Sequence, residues 1–181
     1  MRATVTGDQG DGRGKRVSLL PSTSRTKHRM PAGMGTMHMT LEDAIALAAL
    51  AHRGQVDKAG APYILHPLRM LVRVTGEHER MAAVLHDVVE DTPHTLDDLR
   101  RRGCPEAVVE AVDCLTRRDG ETYDEFLRRL LPNPVARRVK LADLEDNLDL
   151  SRIAQPTERD FERMERYRAA VVLLRAAERC D

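Results

Sequence analysis

Leu85-His86-Asp87-Val88-Val89-Glu90-Asp91 puts one histidine and three carboxylates inside an otherwise apolar stretch. Read as a helix, the run sets His86 one turn from Glu90 and Asp87 one turn from Asp91, as two adjoining stripes. Ala82, Ala83, Leu85, Val88 and Val89 cover the remaining surface, so the helix is expected to be buried. Burying three carboxylates without partners is costly, and a bound cation would offset that cost.

Outward from this run the pattern is helical. Thr40 with Asp43 reads as a capping box opening a helix to about His52, and Gly54, Gly60 and Pro62 make residues 54–65 a loop. Pro67 suits the first turn of the next helix and places His66 at its N-terminal edge. Further helices are predicted over Glu79–Glu90, from Leu96 to Gly103 after a Thr95 cap, and from Pro105 to about Thr116. Thr122–Leu131, Pro134–Leu150 and a last helix from Thr157 or Glu158 to about Arg179 complete the series. No window alternates with period two over a useful length, so the fold class is all-α.

The 181 residues suit one domain with a tail. Residues 1–37 are rich in Gly, Ser, Thr and Arg without helical or strand period, and are expected to be a disordered tail before a domain over 38–181. Met30, Met34, Met37 and Met39 also make this region one where translation could start. The chain is neutral, with 29 basic and 29 acidic residues, but residues 1–30 carry seven Lys/Arg against two Asp, leaving the rest at −5. An acidic body argues against nucleic acid as the main partner. Three cysteines, Cys104, Cys114 and Cys180, are too few and too far apart for a disulfide framework or a Cys-based zinc site. A reducing, cytoplasmic setting fits them best. No apolar run is long enough for a membrane span, and no signal-peptide core is present.

Asp143 poses the same burial problem as the first run, because Leu141, Ala142, Leu144 and Leu148 surround it. His66, His86, Asp87 and Asp143 are therefore the candidate ligands of one divalent metal. Two imidazoles and two carboxylates suit Mn, Fe, Co, Ni or Zn better than Mg. Glu90 and Asp91 are placed to orient or deprotonate a water and to protonate a leaving group. Lys58 and Lys140 are candidate contacts to phosphate oxygens.

At these residues the chain resembles the HD-domain metal-dependent phosphohydrolases. Ala51-His52-Arg53-Gly54-Gln55, Pro62-Tyr63-Ile64-Leu65-His66-Pro67, Leu85–Thr92 and Val139-Lys140-Leu141-Ala142-Asp143 with Asn147 are similar to the hydrolase domain of Rel/SpoT-type alarmone enzymes and its stand-alone relatives. The resemblance covers about residues 40–175. It implies a helical HD fold in which His66, His86, Asp87 and Asp143 bind a metal, usually manganese, while Glu90 and Asp91 work on water. It implies that Lys58 and Asn147 lie near a bound nucleotide, and that the reaction removes pyrophosphate from the 3′ position of guanosine tetra- or pentaphosphate. The chain departs from the family's pattern at Asp57-Lys58, where an Arg-Lys pair is usual, and at Leu144-Glu145-Asp146-Asn147. An acid in place of a nucleotide-facing base predicts poorer recognition of a highly anionic alarmone, improved by Asp57→Arg.

Other readings stand beside this one. One is a hydrolase of another phosphorylated nucleotide, such as nicotinamide dinucleotide phosphate, which one branch of the family accepts. Another is a non-catalytic metal- or nucleotide-binding sensor, which would have no need of both Glu90 and Asp91. His52 reads as a structural histidine capping or bridging the loop, and Lys140 as a partner of Glu145 or Asp146 as readily as of substrate. The arginines of the last helix, Arg163 among them, read as its polar face. The sequence leaves the oligomeric state open.

Overall fold

A computed structural model describes residues 38–149 and 155–179, and the tail expected over 1–37 lies outside them. The described residues form eight helices: α1 (Leu41–Ala51), α2 (Leu65–Leu71), α3 (Glu77–Leu85), α4 (Leu96–Arg101), α5 (Glu106–Leu115), α6 (Tyr123–Leu130), α7 (Pro134–Asn147) and α8 (Glu158–Glu178). Extended pairing among them is limited to an antiparallel bridge between Val56 and Pro62. The fold is all-α, as the periodicity predicts.

The helix starts follow from local chemistry. Thr40, Thr95, Thr122 and Thr157 open α1, α4, α6 and α8. In each case the acid three residues on (Asp43, Asp98, Glu125, Asp160) accepts the backbone N–H of the threonine. This satisfies a donor that the helix itself leaves unpaired. Asn133 does the same service for α7 by accepting from the Ala136 N–H. At the other end of α4, Gly103 takes φ 79°, and the amides of Gly103 and Cys104 return to the carbonyls of Arg100 and Leu99. Only glycine adopts that backbone without strain, so the helix stops there.

α3 lies at the centre, packed against α1, α2, α5 and α7, and every residue from Met81 to Leu85 is buried. Met70, Leu99, Phe126, Leu130, Leu144 and Leu174 close the core around it. Each such side chain contributes roughly 1.5–3 kcal/mol on leaving water. With aromatics scarce, aliphatic packing carries the fold. No helix among the described residues is long and apolar enough to cross a membrane.

One element differs from its sequence reading in a way that matters. The helix predicted over Glu79–Glu90 ends at Leu85, and residues 86–90 form turns. His86 Nδ1 bonds the carbonyl of Ala83 at 2.9 Å, the acceptor that the Asp87 amide would take in a continuing helix. The chain tightens as Val88 N–H donates to Leu85 O, then loosens again as Asp91 N–H donates to Asp87 O. The two acidic stripes of a regular helix are therefore not formed. α7 ends at Asn147 rather than Leu150, and the other boundaries fall within about two residues of expectation.

Candidate metal centre

α2, α3 and α7 bring the two histidines and Asp143 to one place. His66 lies in the first turn of α2, His86 caps α3 and Asp143 faces inward from α7. One ligand-type atom from each of the three lies within 4.8 Å of the others. Asp87 joins them, with Oδ2 2.9 Å from His86 Nε2 and 4.0 Å from His66 Nε2, while His66 Nε2 is 3.3 Å from Asp143 Oδ1. The four side chains named from sequence as ligands thus converge.

Both imidazoles are oriented from outside the cluster. His66 Nδ1 lies 2.8 Å from Asp146 Oδ2, and His86 Nδ1 lies 2.9 Å from Ala83 O. A carboxylate and a backbone carbonyl can only accept, so in each ring Nδ1 carries the proton. Nε2 is left facing the carboxylates in both, which is the tautomer a metal ligand requires. Asp146 is itself 1% exposed and held by Arg69, whose Nε and Nη2 donate to its two oxygens at 2.8 and 3.0 Å. Asp87 accepts from the hydroxyl of Tyr63.

Charge balance inside the cluster is tight. Burial disfavours the imidazolium of His86, but the Asp87 carboxylate outweighs it and lifts the ring to about 9. Burial would raise Asp87, yet His86 beside it pulls its pKa down to about 2. Asp143 is buried too, and Lys140 holds it far below the ordinary carboxylate range, bonding Oδ2 at 2.7 Å. Lys140 thus pairs with Asp143, not with Glu145 or Asp146, and its ammonium also lies over the Phe126 ring. Asn147 Nδ2 donates to Asp143 Oδ1 at 2.6 Å. A concentration of carboxylate oxygens and imidazole nitrogens, balanced here by a proton on His86 and the ammonium of Lys140, fits a divalent cation of the N/O type.

A cavity of about 320 Å³ opens above the cluster, a size that holds a small ligand. His66, Asp87, Asp143, Tyr63 and Asn147 line it on one side, and Asp57, Lys58, Asp149 and Arg163 on the other. The Lys58 side chain is 67% exposed, and its Nζ lies 3.9 Å from Asp160, a long contact worth little. Arg163 is drawn inward to line the wall, bonding Asp160 at 2.9 Å with its guanidinium over Tyr167. It belongs to the site rather than to a plain polar face. Asp57 uses Oδ1 to accept the backbone N–H groups of Ala59 and Ala61 at 2.9 and 3.0 Å. The acid that departs from the family pattern therefore also folds its own loop.

Glu90, Asp91 and Lys140 lie outside the lining of the cavity. Glu90 accepts from the backbone N–H of Arg117 in the α5–α6 loop at 3.2 Å. Asp91 has its pKa raised by burial, and next by the charge of Asp87. Sequence reasoning missed Asp146, Arg69, Tyr63 and Arg163 as parts of the site. Asp143, Asp146 and Asn147 share one face of α7 at i, i+3 and i+4, a signal that was available for the first of these.

No protein-family model matches the chain. It is 35% identical over 121 residues to the GTP pyrophosphokinase of Streptomyces coelicolor, an alignment covering 60% of this chain and 14% of that protein. It is 34% identical over 122 residues to the bifunctional (p)ppGpp synthase/hydrolase SpoT of Escherichia coli, covering 60% and 17%. Among solved structures, a metazoan ortholog of SpoT that hydrolyzes ppGpp superposes with TM-score 0.61 and 28% identity, over 74% of this chain and 84% of that one. The chain is a homologue of the SpoT/Rel enzymes. This SpoT/Rel homologue spans less than a fifth of the length of the curated relatives it matches, and shares with the metazoan structure its all-α HD fold.

Proposed function

We propose that this SpoT/Rel homologue is a metal-dependent phosphohydrolase acting on a phosphorylated nucleotide, with guanosine 3′,5′-bis(diphosphate) as the leading substrate and the 3′-pyrophosphate as the group removed. The observation that carries the reading is the convergence of His66, His86, Asp87 and Asp143, with both Nε2 atoms set for coordination from outside. The names of the relatives support the substrate class.

His66, His86, Asp87 and Asp143 would hold one divalent ion, for which manganese is our choice. Such an ion supplies a Lewis acid for a phosphoryl oxygen and acidifies water. Lys58, Asn147 and Arg163 bind and orient the phosphates from the cavity walls. Lys140 fixes the Asp143 carboxylate, and through it the cluster, rather than reaching substrate by itself. Glu90 and Asp91 take the proton of the attacking water and return one to the leaving group. Burial, and next the charge of Asp87, raise the pKa of Asp91, which suits it to hold a proton. The free thiols Cys104 and Cys114 suit a reducing cytoplasm.

The test is a hydrolysis panel with Mn²⁺ comparing guanosine tetraphosphate, ordinary nucleotides and nicotinamide dinucleotide phosphate, with Asp87→Ala as control. Metal-dependent turnover that Asp87→Ala abolishes is expected, greatest with guanosine tetraphosphate. Absence of metal-dependent turnover with every substrate refutes the enzyme reading. Preference for the dinucleotide phosphate moves the chain to the other substrate.

A further inference from the structure

A turn, not a helix, carries residues 86–90, so tertiary bonds must aim its side chains. Two of those bonds lead back to one residue. His52, at the C-terminal cap of α1, is 2% exposed. Its ring lies 4.9 Å from the ring of Tyr63, tilted by 47°, and the Tyr63 hydroxyl donates to Asp87 Oδ2. Its Nδ1 lies 2.8 Å from Gln55 Oε1, and Gln55 Nε2 donates to the backbone carbonyl of Asp91 at 3.3 Å. An amide oxygen only accepts, so the Nδ1 of His52 carries the proton. Nε2 is buried without a hydrogen-bond partner, so the ring acts through its face and Nδ1 alone.

We propose that His52 is a positioning residue that holds both working ends of the 86–91 turn, the Asp87 carboxylate through Tyr63 and the backbone of Asp91 through Gln55. It touches neither metal nor substrate. The inference rests on the reading of Asp87 as a ligand and of Asp91 as the group that handles water. It explains why a histidine stands where its second nitrogen has nothing to bond. Phenylalanine would support Tyr63 but not hold Gln55, and asparagine would hold Gln55 but not support Tyr63.

Those two substitutions separate the arms. His52→Phe keeps a ring against Tyr63 and, with no partner lost at Nε2, removes only the bond to Gln55. His52→Asn keeps a donor near the position of Nδ1 and removes the ring face. On the full chain, Mn²⁺ binding is measured by calorimetry or electron paramagnetic resonance, independently of turnover. The kcat at saturating Mn²⁺ and the melting temperature are recorded beside it.

His52→Phe and Gln55→Ala are expected to leave the Mn²⁺ Kd within about twofold of wild type and lower kcat by roughly tenfold or more. His52→Asn and Tyr63→Phe are expected to raise the Mn²⁺ Kd by roughly tenfold or more, and combining them should add little to either alone. If both His52 variants move Kd and kcat together, or neither moves anything, His52 merely packs and the proposal fails. Should the His52 variants not fold, Gln55→Ala and Tyr63→Phe decide alone. A kcat loss without a Kd change in the first, and a Kd change in the second, uphold the proposal, and any other pattern overturns it. A wild type without metal-dependent turnover would sink the enzyme reading, whereas turnover without this split sinks only the role of His52.

Discussion

Replacing Asp146 with asparagine exchanges one oxygen for an NH₂ group and should disable His66, 80 residues away in the chain. Asp146 is 1% exposed and surrounded by donors, His66 Nδ1 at 2.8 Å and Arg69 Nε and Nη2 at 2.8 and 3.0 Å. The amide keeps the volume, removes the charge and replaces one accepting oxygen with a donor. Wherever that NH₂ points, it faces a donor. If it faces His66, the ring is driven to the other tautomer and Nε2 carries a proton where a lone pair is needed. If it faces Arg69 Nε, that donor loses its acceptor, and a neutral carbonyl is left to accept from both His66 Nδ1 and Arg69 Nη2. Loss of an outer partner of a ligating histidine costs about 10- to 100-fold in metal affinity, or ~1.4–2.7 kcal/mol. The Arg69 side chain is 30% exposed, so water takes up part of its lost pairing. The stability cost is accordingly about 1–3 kcal/mol, below the ~3–5 kcal/mol of a fully buried broken pair. Calorimetric Mn²⁺ titration with a melting curve for each protein measures both. A folded Asp146→Asn protein whose Mn²⁺ Kd stays within about threefold of wild type would refute the argument that the tautomer of His66 is set from Asp146.

Three further outcomes are expected. In the metal-free protein Asp87 lifts His86 to about 9, so at neutral pH the ion must displace a proton. The apparent Mn²⁺ affinity should then fall about tenfold per pH unit below about 9, with about one proton released per ion at pH 7, and a pH-independent isotherm contradicts this. Asp57→Asn retains the acceptor for Ala59 and Ala61 and removes a charge from the cavity wall, so the KM for guanosine tetraphosphate should drop by roughly two- to fivefold. Asp57→Arg, favoured on sequence grounds, should instead lower activity because the loop loses its cap, and a gain with arginine but none with asparagine would reverse this account. Leu130→Ala, at a fully buried position of α6 away from the cluster, should cost about 2–5 kcal/mol in urea unfolding without altering the Mn²⁺ Kd of the folded protein.

What the sequence makes legible is the part that short-range chemistry dictates. Threonine followed three residues later by an acid announces α1, α4, α6 and α8 because a capping box is complete within four residues. The ligand types are legible because buried carboxylates and imidazoles in apolar runs demand compensation, whatever the tertiary details. What stays hidden depends on side chains meeting across the fold. The end of α3 at Leu85 turns on a single bond from His86 to Ala83 O, which competes with the helix ladder and leaves no trace in the periodicity. Asp57 reads as a misplaced charge until its loop is seen to close on it. Arg163 is one of many arginines on α8, and only the path of that helix selects it for the cavity.

The two sides of the cavity rest on different foundations. His66, His86, Asp87 and Asp143 stand on or beside helices that also build the hydrophobic core, so a change there disturbs the stability of the whole protein. Asp57 and Lys58 sit in a short loop, and Arg163 sits on α8, which packs mainly along α7. Apart from the loop cap that Asp57 supplies, mutations in the second group disturb the core little, while those in the first are paid for twice, in fold and in chemistry. On the function proposed above, the chemistry is tied to the core and the recognition of substrate is not. Under that proposal, substrate preference can shift through a few residues of the cavity rim, Lys58 and Arg163 among them, while the packing of the core preserves the His66–His86–Asp87–Asp143 cluster.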